Sequence, residues 1–160
     1  MNYRHAFHAG NFADVIKHLV LVRILTYLHE KPAAFRVIDS HAGAGRYDLT
    51  GEEATRGGEW LTGIARVMAA RFSQEAGELI APYLDIVRAF NPPGKLEAYP
   101  GSPLIARALL RPQDRMVACE VAPAPRKQLI DALRRDEQAR VVDLDGWTAL
   151  PAFVPPNERR

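Results

Sequence analysis

Apolar residues recur at helical spacing through Val15, Leu19, Val22, Leu25 and Leu28, predicting a first helix that Lys31-Pro32 ends. Asn11 is its expected N-cap, and Asp14, three residues on, the reciprocal acid of a capping box. The period then changes. FRVID (35–39) has the length and apolar character of a parallel strand covered on both faces. RMVACEV (115–121) and ARVVDLDGW (139–147) predict a second and a third strand, with the helical stretch APRKQLIDALRRDEQ between them. Between the first two strands lie a polar loop, TGEEATRGGE, and helical stretches at Trp60–Phe72 and Glu75–Phe90. Pro82 is expected to kink the second of these or to start a new helix. YPGSPLIARALL reads as a loop entering a helix, with Ser102 as N-cap and Pro103 at the first helical position.

Strands alternating with helices specify an α/β chain that builds a parallel sheet. LPAFVPPNERR offers no fourth strand, so the sequence looks like the first half of a doubly wound domain.

Composition adds bounds. The 160 residues, 48% hydrophobic and 25% charged, suit one soluble globular domain with a sizeable core. A net charge of +2, from 21 basic and 19 acidic side chains, permits nucleic-acid binding without arguing for it. Cys119 is the sole cysteine, which excludes a disulfide framework and a multi-thiolate zinc site. HLVLVRIL is broken by Arg23 and too short to span a bilayer, and MNYRHAFHAGNF has no apolar signal core; a cytoplasmic protein is expected.

The candidate chemistry gathers at strand ends, where open α/β sheets bind ligands. The first strand delivers Asp39 and the turn SHAGAG (40–45), whose Gly43 and Gly45 suit a close backbone approach to a nucleotide-like cofactor. Asp48 stands where the dinucleotide fingerprint has its third glycine. Glu120, at the end of the second strand, is placed to accept from ribose hydroxyls. Asp145-Gly146, at the end of the third, offers a carboxylate or an amide for an adenine edge. In a nicotinamide-dependent enzyme the ribose acid lies about 20 residues past the glycines. Glu120 lies far beyond that, so a plain dinucleotide fold is disfavoured.

All five histidines, His5, His8, His18, His29 and His41, fall in the N-terminal third. His5 and His8 lack a clear helical setting and a nearby acid, so solvated or phosphate-facing side chains are expected rather than metal ligands. His29 reads as solvated or as stabilised by the helix dipole. His41 lies inside the glycine turn, and His18 follows Lys17 where it can face the same pocket; hydrogen bonding to a ligand suits both. NYRHAFHAGN interleaves aromatic and basic residues, a pattern that can stack on bases and also that of a packed terminal arm. Cys119 reads as a buried structural thiol.

YRHAFHAGNFADVIKH, DSHAGAGRYDL, NPPGKLEAYPGSPLIARALLRPQD and ARVVDLDGW together resemble the RlmJ family, over Tyr3 to Arg160. The resemblance implies a Rossmann-like class I methyltransferase fold, with 1–160 as the cofactor-binding part of one domain and a helical insertion at about 56–95. It implies S-adenosylmethionine-dependent methylation of the exocyclic amino group of an adenine in 23S ribosomal RNA. Carried over by position, it implies cofactor contacts at His18, His41, Ser102, Glu120, Asp145 and Gly146, and an RNA contact at Tyr3. It implies no metal and no membrane, and a monomeric full-length enzyme. Family members have also been linked to competence and to use of external DNA, so a non-catalytic nucleic-acid binding protein is the alternative.

Amino methyltransferases of this kind carry an Asp-Pro-Pro-aromatic motif that holds the target amino group and stacks the flipped base. The resemblance places it at the end of the fourth strand, shortly beyond Arg159-Arg160, so a chain truncated before that strand is expected to bind cofactor weakly without transferring methyl. Its open sheet edge would invite self-association. Asn91-Pro92-Pro93 is no substitute, because Gly94 cannot stack, and FVPPNE has no acid or amide before its prolines.

Overall fold

A computed structural model describes residues 4–154. The chain divides into two compact units, Met1–Ile24 with Tyr47–Pro100, and Leu25–Arg46 with Gly101–Arg160.

The second unit holds a three-stranded parallel sheet in the order β1 (Arg36–Asp39), β4 (Arg115–Cys119), β5 (Ala139–Val142). Val37 pairs with Met116 and Ile38 with Val117; Ala118 pairs with Val141 and Cys119 with Val142. The parallel register brings the carboxyl ends of all three strands to one edge of the sheet. Central β4 buries Met116, Ala118 and Cys119, whereas all four residues of β1 stay half-buried. The first strand is thus less deeply covered than β4, although two helices pack on it. Helix α6 (Ser102–Ala108) packs on β1 and β4, α7 (Pro123–Ala132) on β5 and α8 (Gly146–Phe153) on β1. They bury Leu104, Ile105, Leu129 and Ala149. Below the strands, fully buried Asp114 accepts from the amide of Phe35 at 3.0 Å and from Arg111 Nε at 2.8 Å. Burial alone would raise its pKa, but these donors outweigh it and the carboxyl is held below its usual range.

The third predicted strand is shorter than 139–147. It stops at Val142, because Asp145 caps α8 by accepting from the amides of Trp147 and Thr148, both at 3.1 Å. Ser102 is displaced by one position too. Gly101 occupies the cap, and its amide donates to the carbonyl of Gly45 at 2.6 Å, so Ser102 and Pro103 are the first two helical residues.

In the first unit a 3₁₀ turn (His5–Phe7) leads into α1 (Phe12–His29), whose numbering runs on into the second unit. Asn11 Oδ1 caps the helix through the amide of Asp14 at 2.9 Å. The reciprocal bond is shifted by one residue, since Asp14 Oδ2 accepts from the amide of Gly10 rather than from that of Asn11. Strands β2 (Arg46–Asp48) and β3 (Ala98–Pro100), both unpredicted, form a two-stranded ladder. The intervening segment folds into α2 (Glu52–Gly57), α3 (Glu59–Thr62), α4 (Ile64–Ala69) and α5 (Gln74–Ala89).

The single helix expected over Trp60–Phe72 is thus two short ones broken at Gly63. There the amide of Ile64 bonds the carbonyl of Gly10 at 2.8 Å, and a Cβ on Gly63 would overlap that same oxygen. Helix α5 runs unbroken through Pro82. Among the described residues no helix is long and apolar enough to cross a membrane.

Candidate functional site

The turn after β1 is held from several sides by atoms of the second unit. The amide of Ala42 donates to the carbonyl of Cys119 at 3.0 Å, and that of Gly43 to Glu120 Oε2 at 2.9 Å. Gly43 and Gly45 take φ of 65° and 79°, the left-handed region that glycine enters without strain. A Cβ on Gly45 would stand 2.8 Å from Leu129 Cδ1. Gly146 approaches from the start of α8, so close that a Cβ there would overlap the carbonyl oxygen of Ser40 and lie 2.9 Å from His41 Cε1.

Glu120 follows β4 directly and uses both carboxylate oxygens, Oε2 on Gly43 and Oε1 on the amide of Ala122 at 2.7 Å. Each oxygen retains a lone pair for a further donor. Arg126 on α7 pairs with Asp143 and donates to the carbonyl of Val121 at 3.1 Å, which joins the segments after β4 and β5. His41 is exposed, with Nδ1 3.0 Å from Ser40 Oγ. Its ring meets exposed Trp147 edge-on at 6.0 Å. Around one turn the structure therefore gathers His41, Glu120, Asp145-Gly146 and the start of α6 with half-exposed Ser102.

Sequence reasoning singled out neither Trp147 nor Arg126. Trp147 had a signal in Asp-Gly-Trp, an aromatic straight after a strand-end glycine; Arg126 had none. Cys119 is fully buried and its thiol pKa is raised, first by burial and then by Asp39. It is the structural thiol that was expected.

His18 lies in the first unit, fully buried, with Nδ1 2.7 Å from Tyr99 Oη, which is in turn 2.9 Å from Tyr83 Oη. Burial pushes the imidazole pKa down to about 3 against a weaker upward pull from Asp14, so the ring is neutral at physiological pH. Its Nε2 has no hydrogen-bond partner among the described residues. Tyr3 lies outside the described residues.

His5 and His8 depart from expectation, because the fold brings Asp14 to the first and the distant Glu59 to the second. His5 Nε2 lies 2.9 Å from Asp14 Oδ2, and His8 Nδ1 lies 2.9 Å from Glu59 Oε1. Lys17 Nζ donates to Asp14 Oδ1 at 2.7 Å. Burial would raise the Asp14 carboxyl, but the bonds and charges of His5 and Lys17 outweigh it and hold the group well below the usual carboxylate range. Glu59 is lowered as well, by hydrogen bonds from Asn11 and His8. His5, His8, Asn11, Ala13, Asp14 and Lys17 line an open cleft of about 370 Å³. His29, instead of being solvated, lies with Nε2 2.6 Å from the carbonyl of Leu109 and stacks on Phe35. Among the described residues no three His, Cys, Asp or Glu side chains converge as metal ligands would.

A family model described as "Ribosomal RNA large subunit methyltransferase D, RlmJ" matches residues 32–160. Ribosomal RNA large subunit methyltransferase J of Escherichia coli K12 is 46% identical over 160 residues, all of this chain and 56% of that protein. The protein of the same name from Haemophilus influenzae Rd is 40% identical over 161 residues, with the same shares covered. A crystal structure of a protein from Legionella pneumophila Philadelphia 1 matches with a TM-score of 0.81 at 34% identity, over 94% of this chain and 54% of that one. The chain spans about half the length of the curated relatives it matches. With a parallel α/β sheet, a glycine turn at its carboxyl edge and a family model matched over most of its residues, the chain belongs to the RlmJ family of ribosomal RNA large subunit methyltransferases.

Proposed function

We propose that this chain is the cofactor-binding part of an S-adenosylmethionine-dependent methyltransferase that acts on the exocyclic amino group of an adenine in 23S ribosomal RNA. One observation carries the reading: Glu120, Gly146 and His41 meet on one glycine turn at the carboxyl edge of a parallel sheet. The residues fit the cofactor chemically. Glu120 has acceptor capacity left for ribose hydroxyls, and exposed His41 and Trp147 offer flat faces for an adenine ring. Gly146 leaves its backbone open to close approach, and Ser102 adds a hydroxyl at the start of α6.

When bound, S-adenosylmethionine supplies an electrophilic methyl group on its sulfonium. The chain's own residues bind and orient it: Glu120 by accepting, Ser102 through its hydroxyl, and Asp145 by fixing the start of α8 and so the seat of Gly146. By the family resemblance, we assign Tyr3 to the RNA. We read 1–160 as part of one methyltransferase domain, with 56–95 as a helical insertion, in an enzyme that is a monomer at full length.

Titration calorimetry with S-adenosylhomocysteine tests this. The folded chain should bind, and Glu120→Ala should weaken binding at least tenfold. No heat from folded protein would sink the proposal. The alternative, a non-catalytic nucleic-acid binding protein, has weaker support, since Arg4 is already paired with Glu53 and Lys17 with Asp14.

A further inference from the structure

Helix α1 is apolar on two sides, yet the described structure covers one. Val15, Val22 and Leu25 are buried. A second row, Phe12, Ile16, Val20 and Ile24, runs along the helix at four-residue spacing and is 69%, 59%, 50% and 52% exposed. Residues four apart lie one above another on a helix surface, so these four form a continuous ridge three turns long. A helix apolar on more than one side is suited to packing against protein on more than one side.

We infer that the Phe12–Ile24 ridge of α1 is the seat of the part of a full-length RlmJ-family chain that lies outside these 160 residues. The curated relatives match over only 56% of their length, and the Legionella structure over 54%, so nearly as much chain again exists in family members to cover it. The area argues for that occupant over a second copy. Four such side chains, each half or more exposed, present on the order of 400 Å² of apolar surface. A stable dimer needs about 800 Å² from each partner. A segment of the same chain avoids the rotational and translational cost of association, so a ridge of this size suffices for it. The inference rests on family membership and on the ridge, not on methyl transfer, so it and the cofactor reading fail separately.

The test is to co-express this chain with the part of the Escherichia coli relative outside the matched 160 residues, each with its own tag. Purification through the second tag should bring down this chain in equal amount. Ile16→Lys with Ile24→Lys should lower capture more than tenfold, while Lys127→Glu, an exposed position on α7, should leave it unchanged. Lysine is a better helix former than isoleucine, so the double variant should keep its circular dichroism spectrum and melting temperature. Three results would overturn the inference: capture indifferent to the lysines, no capture of folded chain, or a stable dimer of this chain that the lysines dissociate.

Discussion

The glycine turn of the second unit and the histidine arm of the first are both fixed by long-range contacts, but of opposite kinds. In the turn the holding atoms are mostly backbone: amides of Ala42 and Gly43, the carbonyl of Gly45, and Gly146 seated against Ser40. In the arm they are side chains, all but one of them ionisable: His5 and Lys17 on Asp14, His8 and the amide of Asn11 on Glu59. Backbone contacts at van der Waals distance are broken by adding a methyl group. Charge pairs are broken by adding a proton.

Three experiments sharpen the contrast. The largest effect is expected at Gly146→Ala, where the new Cβ meets the carbonyl of Ser40, and backbone on both sides has little room to yield. A loss of about 3 kcal/mol is expected from such overpacking, read by urea denaturation. A change within about 0.5 kcal/mol would show that the turn gives way freely and end the distinction.

The second effect is a pH dependence located in the first unit. The folded pKa of His18 lies near 3, below the ordinary 6.5, so the unfolded state takes up a proton first as the pH falls. Its contribution is complete above 6.5 and is lost as the pH drops toward 3. Asp14, also depressed, adds a contribution present above the ordinary carboxyl range and lost at lower pH. Between about pH 7.5 and about pH 5 the protein should lose roughly 1–2 kcal/mol of stability, and His18→Asn should flatten that slope. An unchanged slope in the variant would place the titration elsewhere.

The smallest effect is expected at the rim of the arm. Arg4 and Glu53 pair at 2.7 Å with Arg4 exposed to solvent, and Arg4→Ala should cost no more than about 0.5 kcal/mol. A cost several times larger in the same denaturation experiment would mean that the arm acts as one charge network rather than as a buried pair with an exposed fringe.

The elements were legible where one local cause sufficed. Period 3.6 marked α1, short apolar runs marked β1, β4 and β5, and Asn11 marked a cap that the structure keeps. The site was legible in part for the same reason: strand ends and glycines are local features, and parallel pairing needs only that the strands share a direction. Misreadings came where a distant atom decides. Gly63 breaks a helix because the carbonyl of Gly10 needs the amide of Ile64, a partner 54 positions away that no window of sequence contains. Ser102 lost the cap to Gly101 because the Gly101 amide reaches the carbonyl of Gly45.

The amino-acid sequence by itself determined the α/β class, the parallel order of strand and helix, and the glycine turn with its strand-end acids. Each is written in side-chain period or in backbone freedom. The tertiary structure alone decided that both oxygens of Glu120 are engaged on amides and that Asp145 serves a helix. It also decided that His18 is a buried neutral imidazole on Tyr99, that His5 and His8 have acids, and that one row of α1 is left bare. Those are matters of which distant groups share a dielectric and a hydrogen bond, and chain order does not encode them locally.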